Sequence, residues 1–348
     1  MHYRKTLTAA ILALSACSRS GSLPVVSGAP PAPPAVAEPA VLAPHHDKVS
    51  IFARGNSKHY NPDPIVFQNN SIYVAFQNAT QPTGTGGKSA IVEFDNRGKM
   101  VRQLGVKGRC DGMRWNPSTH RMWITVNEDA NSSMFTWDPS SGALKHYAFS
   151  SAQHGGGYDD LAFVGGKAFI AASNPKLDPN GINKGPAVVS AVLKGDTAEV
   201  TPVLMGDAQA TDIPTGKKVR LNLTDPDSMT VAPNGDVLLV SQADSEIVWI
   251  HDAGKASQSV SRLLVGTQLD DTVYATQRDG EFFVVDAKRN VIYSIRGRMR
   301  AGGLYTEAPD DSYVKGFVGV VDPKTGAVTP TITKFKSPTG LIFVPAKS

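Results

Sequence analysis

The sequence predicts an all-β fold, a β-propeller of six four-stranded blades whose ring is closed by N- and C-terminal strands. Short runs rich in β-branched and aromatic residues, such as SIYVAF (71–76) and EIVWIH (246–251), alternate with Asn, Asp, Gly and Pro. No long window has helical periodicity. Many short strands with regular turn signals are typical of a sandwich, a barrel or a propeller. Repeats favour the propeller.

Six similar segments begin the repeats. They are PDPIVF (62–67), CDGMRW (110–115), YDDLAF (158–163), PDSMTV (226–231), LDDTVY (269–274) and PTGLIF (338–343). Their equivalent positions are Asp63, Asp111, Asp159, Asp227, Asp270 and Thr339, at spacings of 48, 48, 68, 43 and 69 residues. A period in the forties fits one four-stranded blade, and each blade must stack on its neighbours to bury both faces. Six inner strands therefore indicate six blades, although five or seven remain open.

The two long spacings indicate insertions. The first contains KLDPNGINKGPA (176–187) and TDIPTGKKVRLNL (211–223), and the second contains AGGLYTEAPDDSYVKG (301–316). Elsewhere, a second and a third strand are expected to follow each inner strand directly, as EFFVVD (281–286) follows LDDTVY. The strand VSIFARG (49–55) is expected to pair with the C-terminal strands. The pieces of the last blade cannot be placed uniquely from the pattern.

The N-terminus has the three-part layout of a secretory signal. Arg4 and Lys5 precede a short apolar stretch (7–14), and LSAC (14–17) closes the segment. The apolar stretch is too short to remain as a membrane-spanning helix. The tetrapeptide resembles the bacterial lipobox, which implies removal of residues 1–16 and lipidation of Cys17. An ordinary cleaved signal that happens to contain a cysteine is the alternative.

Lipidation of Cys17 would place the chain at the cell envelope, with the membrane as its partner. Ser18 follows the cysteine, which implies the outer membrane if the source is Gram-negative. Residues 17–46 form a Pro/Ala-rich tether that contains PPAPPAVAEPAVLAP (30–44). Such a segment favours extended polyproline II and cannot form a packed core. The propeller domain is assigned to residues 47–348.

Charge and cysteine content narrow the range of partners. The formal net charge is +4, and lysines and arginines are scattered apart from a cluster at 296–300. Nucleic acid is therefore not an expected partner. With Cys17 lipidated, Cys110 has no second cysteine for a disulfide, and it is interpreted as a buried thiol. The chain is expected to be a monomer.

One unit carries a resemblance to known proteins. PDSMTVAPNGDVLLVSQADSEIVWI (226–250) resembles NHL repeats and, more closely, the propellers of the regucalcin/gluconolactonase family. That family is six-bladed and holds a divalent cation, commonly calcium, at the channel mouth. The resemblance implies cation ligands at Asp227 and, in the second copy of the motif, Asp111. The family's early Glu ligand has no obvious match, and its Asn-Gly opening is absent from all six segments.

The aligned aspartates predict a metal site in their own right. In a propeller, Asp63, Asp111, Asp159, Asp227 and Asp270 would converge on one end of the central channel. Converging carboxylates raise one another's pKa unless a cation neutralises them. Ca²⁺, a hard ion with six to eight oxygen ligands, suits such a site. Aspartate is also a common turn residue, so each one alone has a structural explanation.

Two classes of function follow. The first is a propeller that binds a small molecule, a protein or a glycan of the envelope at its channel mouth, together with a divalent cation. The second is a metal-dependent hydrolase or lactonase, in which Asp227 is the candidate general base. The Asp ring favours the enzyme, whereas the missing Glu and Asn-Gly signatures favour binding.

Overall fold

The computed structural model describes residues 40–41, 48–150, 154–309 and 316–347. The predicted signal segment, Cys17 and all of the tether except residues 40–41 lie outside the described residues. The described chain forms strands and one 3-10 helix, Ala287–Arg289. No helix in the described ranges is long and apolar enough to cross a membrane. Two short N-terminal strands, β1 (Ala40–Val41) and β2 (Lys48–Arg54), precede the blades.

Blades 1 and 2 are regular four-stranded antiparallel meanders. Blade 1 contains β3 (Pro62–Gln68), β4 (Ser71–Phe76), β5 (Lys88–Phe94) and β6 (Met100–Lys107). Blade 2 contains β7 (Cys110–Asn116), β8 (Arg121–Val126), β9 (Ser133–Trp137) and β10 (Leu144–Phe149). The strands pair in sequence order within each blade, so the first strand lies innermost.

Blades 3 and 4 repeat this order and carry the first insertion. Blade 3 contains β11 (Leu161–Val164), β12 (Lys167–Ala171), β13 (Pro186–Lys194) and β14 (Thr197–Met205). A hairpin of β15 (Gln209–Asp212) and β16 (Lys218–Arg220) follows. Blade 4 contains β17 (Pro226–Val231), β18 (Val237–Ser241), β19 (Glu246–His251) and β20 (Ser259–Leu264). The hairpin extends the outer edge of blade 4, since β15 pairs with β20.

The chain crosses from blade 5 into blade 6 and back before blade 5 is complete. After the inner strand β21 (Thr272–Tyr274), the chain leaves blade 5 and forms β22 (Asp279–Asp286) and β23 (Val291–Arg298) of blade 6. It then returns to complete blade 5 with β24 (Leu304–Ala308), β25 (Phe317–Val321) and β26 (Val328–Thr333). The last strand, β27 (Pro338–Pro345), is the inner strand of blade 6, in the order β27-β22-β23-β2.

This crossing contradicts two predictions made from the sequence. EFFVVD (281–286) does not continue the blade begun by LDDTVY, and residues 301–316 are not a simple insertion, because residues 304–308 are the second strand of blade 5. The N-terminal strand does close the last blade, but β2 pairs with β23 on the outer side and β27 lies on the inner side. Periodicity cannot reveal this arrangement, because the strands that cross into blade 6 are apolar like the strands before and after them in the chain.

The six inner strands form a closed ring, β3-β7-β11-β17-β21-β27 and back to β3. The prediction of a six-bladed propeller is therefore confirmed. The core lies between blades: Tyr73 of blade 1, for example, packs against Trp137 of blade 2 with ring centroids 5.8 Å apart. Each blade buries both faces against its neighbours, which explains why second and third strands are almost continuously apolar.

Candidate functional site

A cavity of about 200 Å³ opens where the inner strands begin, and we call this end of the channel the mouth face. All five aspartates predicted from the repeats line it, as does Thr339 of the sixth segment. The structure thus brings together every predicted site residue, from five different blades. The remaining lining residues are Pro64, Arg109, Arg114, Glu128, Asp160, Ser228, Gln242 and Asp271.

Irregular strand starts place several of these side chains. The pairing register shifts between Pro62 and Ile65 in β3, between Cys110 and Gly112 in β7 and between Pro226 and Met229 in β17. A bulge leaves an extra residue unpaired and redirects its side chain. In each case the cavity-lining aspartate lies within the shifted segment.

Gly112 allows the bulge in β7 to pack closely against the start of blade 3. A Cβ at this position would lie 2.6 Å from the backbone oxygen of Asp159 and 2.7 Å from the Cα of Asp160. The glycine therefore allows the inner strands of blades 2 and 3 to approach at the mouth. Asp111 and Asp159 become neighbours as a consequence.

Asp111 has the most complete set of partners. Its Oδ1 accepts hydrogen bonds from Arg109 Nε at 2.7 Å and from Gln77 Nε2 at 3.1 Å. Its Oδ2 accepts from the backbone N–H groups of Asn127 and Glu128, at 3.1 and 3.2 Å. Gln77 also donates to Asp63, which links the carboxylates of blades 1 and 2.

Asp159 lies next to two other carboxyl groups of the mouth, those of Glu128 and Asp227. Two carboxyl groups can share a hydrogen bond only when one of them holds a proton. A proton or a cation is therefore needed to keep these groups close together.

Arg114 lies deeper in the channel and connects three blades. Its Nη2 donates to Asp160 Oδ2 at 2.5 Å and to the backbone oxygen of Met229 at 3.0 Å, and it lies 3.9 Å from Asp271 Oδ1. Asp271 Oδ2 accepts from the backbone N–H of Leu341 at 3.1 Å. The buried Asp160 Oδ1 has no hydrogen-bond partner among the described residues.

Burial dominates the electrostatics of the mouth. It raises the pKa of all five predicted aspartates well above the usual range, and neighbouring carboxylates add to the effect. Burial also raises the pKa of Asp160 to about 7, although the nearby Arg114 charge opposes it. Eight carboxyl groups line the cavity against two guanidinium groups. Such an excess of acid is stable only if protons or cations neutralise it.

The donor set fits a hard divalent cation in its chemistry. The cavity is lined by carboxylate, carboxamide and hydroxyl oxygens, and no histidine or cysteine is among its described lining residues. Oxygen ligands of this kind suit Ca²⁺. In the described ranges, however, no three His, Cys, Asp or Glu side chains already surround one point closely enough to hold an ion. Binding would therefore require side-chain adjustment at the mouth.

Sequence reasoning missed Arg109, Arg114 and Glu128. The doubled acids Asp159-Asp160 and Asp270-Asp271 leave open, from the sequence, which member of each pair faces the channel, and both members line the cavity. Glu128 lies two residues after β8, and Gln242 directly follows β18, so both lie where a second strand ends at the mouth face. That position was a usable signal. Two side chains that could take part in chemistry do not line the cavity. Cys110 is a fully buried free thiol, as expected from the sequence, and His154 is buried with its Nε2 hydrogen-bonded to the Gly157 oxygen.

The sequence matches no protein-family model and no curated protein. Solved structures similar to this chain include the periplasmic gluconolactonase of Pseudomonas aeruginosa, with 12% identity, a TM-score of 0.46 and coverage of 82% of this chain and 89% of that chain. The virginiamycin B lyase of Staphylococcus aureus has 9% identity and a TM-score of 0.43, over 77% of this chain and 98% of that chain. A protein of unknown function from Bacteroides caccae has 12% identity and a TM-score of 0.45, over 82% and 99%.

Proposed function

We propose that the channel mouth binds a divalent cation, with Ca²⁺ preferred, together with a small polar ligand, on a propeller held at the cell envelope through Cys17. The observation that carries this proposal is the cluster of eight carboxyl groups and two guanidinium groups around one cavity. A cation would relieve the repulsion that otherwise forces several of these groups to stay protonated.

Asp63, Asp111, Asp159, Asp227 and Asp270 would supply the ligands, with Glu128 within reach of Asp159. Arg109 orients Asp111 through a direct hydrogen bond. Arg114 holds Asp160 and Asp271 behind the ring and places a guanidinium group at the channel floor. A ligand that enters the mouth therefore meets acceptors at the rim and a donor below, which suits a hydroxylated or carbonyl-containing molecule.

Thermal unfolding in EDTA and then in millimolar Ca²⁺ tests the proposal. A ligand at about 100 times its dissociation constant stabilises the folded state by about 2.7 kcal/mol, which raises the melting temperature by a few degrees. The double variant Asp111→Asn/Asp227→Asn should lose this rise. The control Asp252→Asn/Asp322→Asn also removes two carboxylates, from turns of blades 4 and 5 away from the mouth, and should keep it. The proposal would be refuted if none of Ca²⁺, Mg²⁺, Mn²⁺ and Zn²⁺ changed the melting temperature.

The same cavity favours one second candidate, a metal-dependent lactone or ester hydrolase. Asp227 is only partly buried and lines the cavity, so a substrate at the mouth could exchange a proton with it. Burial raises its pKa, so it can act as a base only when a bound cation, which would also polarise a carbonyl group, favours its ionised form. Calcium-dependent lactone hydrolysis that Asp227→Asn abolishes would support this candidate, and absence of turnover in Ca²⁺ would exclude it for the lactones tried.

A further inference from the structure

Blade 6 carries a concentration of positive charge at the face opposite the mouth. β27 begins at the mouth and ends at this far face, and Gly280 of β22 pairs with Pro345 at the end of β27. Asp279 pairs in turn with Arg298 of β23, and Lys48 of β2 pairs with Arg296. The corner formed by these strand ends presents six exposed basic residues, the blade 6 basic patch: Lys48, Arg278, Arg296, Arg298, Arg300 and Lys347.

Among the described residues, two acids lie in the same corner. Glu281 accepts from Arg296 Nε at 3.1 Å, and Asp279 is the other carboxylate. Within the described ranges, Arg278, Arg298 and Arg300 have no carboxylate within ion-pair distance. Lys48 and Arg296 also face each other across a strand pair, an arrangement of like charges that costs stability unless something else compensates it.

The far-face turns of blades 3 and 4 differ from this corner. In blade 3, Lys194 pairs with Glu199 at 2.5 Å, and in blade 4, Lys255 pairs with Asp252 at 2.7 Å. Blade 6 therefore presents uncompensated cations, whereas these turns are locally neutral. The acidic mouth lies at the other end of the same channel, so the two faces of the propeller differ strongly in charge.

We propose that the blade 6 basic patch binds the anionic headgroup surface of a phospholipid membrane, which turns the acidic mouth away from that surface. Each lysine or arginine near an anionic leaflet adds to binding, and the effect falls off within a Debye length. An anionic surface attracts the patch, so charge favours the orientation in which blade 6 faces the membrane. Phospholipid is preferred to a soluble polyanion because the sequence predicts an anchor that brings the patch to a membrane.

The tether permits this orientation. β1 pairs with β26 near Thr333, at the mouth side of blade 5, so the chain before Ala40 does not itself select the far face. A Pro-rich tether extends about 3 Å per residue, and the stretch from Cys17 to Ala40 can therefore reach roughly 70 Å. The seven residues of β2 span about 23 Å. The anchor can thus reach a membrane at either face, and charge decides between them.

Sedimentation with lipid vesicles tests the proposal, using the full chain with Cys17→Ser so that no acyl chain contributes. We expect binding to vesicles of 70% phosphatidylcholine and 30% phosphatidylglycerol, weak binding to pure phosphatidylcholine, and release by high salt. The triple variant Arg278→Gln/Arg298→Gln/Arg300→Gln should bind the anionic vesicles roughly tenfold more weakly or worse. The control Lys194→Gln/Lys255→Gln/Lys324→Gln removes the same charge from far-face turns of other blades and should bind nearly as well as the parent.

Equal loss in the control and the patch variant would overturn the proposal, as would equal binding to both kinds of vesicle. Binding to soluble heparin without binding to anionic vesicles would also overturn it and would point to a polyanionic glycan. The inference rests on the proposed function only for the anchor at Cys17. Because the assay contains neither the acyl chain on Cys17 nor Ca²⁺, its failure would not count against the proposed cation site.

Discussion

At the residue scale, the acidic mouth shows what a single position in a repeat can and cannot reveal. The five aspartates were predictable because turn chemistry alone would have allowed Asn, Ser or Gly at equivalent positions. Glu128 and Arg109 do not recur in the other units, so the repeat did not mark them, and only the place of Glu128 after a second strand offered a signal. Recurrent residues can be read from a sequence, whereas unique ones need the fold.

Glu246 provides a residue-scale test of burial at a carboxyl group that does not line the cavity. It begins β19, is buried, and has its Oε2 3.9 Å from Arg262 Nη1. Burial raises the pKa of Glu246 to about 7, with a further contribution from the Asp244 charge. The folded protein therefore keeps this proton to a higher pH than the unfolded chain. The stability it contributes is present at low pH and is lost as the pH rises through about 7.

We predict that Glu246→Gln raises the melting temperature by a few degrees at pH 8 and leaves it nearly unchanged at pH 5. Glutamine imitates the protonated form at every pH, and the gain at pH 8 is on the order of 2 kcal/mol. Glu199→Gln, on the exposed strand β14, is the matched control and should not show this pH-dependent gain. A Glu246→Gln variant less stable than the parent at pH 8 would show that its contact with Arg262 outweighs the cost of burial.

At the element scale, the inner strands were predictable and the route of the chain between blades was not. All six segments chosen from the sequence prove to be innermost strands, because each combines a turn, a polar start and an apolar continuation. The detour of β22 and β23 into blade 6 has no such signature, since Phe282 and Tyr293 would fill a core equally well in either blade. Strand identity is local, but strand partnership depends on the whole ring.

The inner position of β27 leads to a prediction about truncation. Removal of residues 338–348 would expose the apolar faces of β22 and β3 and leave five inner strands in an open ring. We expect the truncated chain to lose its cooperative thermal transition and to become sensitive to protease. Removal of Lys347 and Ser348 alone should leave the transition intact. A cooperative transition at the parent temperature after the longer truncation would contradict the assigned ring closure.

At the scale of the whole molecule, closure of the ring of blades produces both the acidic mouth and the basic patch. Closing the ring brings one acidic residue or more from each of five blades to a common point, which no isolated blade could do. The same closure gathers N-terminal, internal and C-terminal strands in blade 6, where the basic patch lies. The propeller thus has an acidic mouth on one face and the blade 6 basic patch on the other, and the mouth is the proposed ligand site.

The most direct test of the central claim is calorimetric titration of the full chain with Ca²⁺ near pH 7, repeated in two buffers of different ionisation enthalpy. Because burial and mutual repulsion keep several mouth carboxyls protonated, cation binding must release protons, and affinity should rise with pH. We predict one bound Ca²⁺ per chain with proton release, both lost in Asp111→Asn/Asp227→Asn. Absence of binding heat in both buffers, for Ca²⁺ and equally for Mg²⁺ and Mn²⁺, would contradict the account.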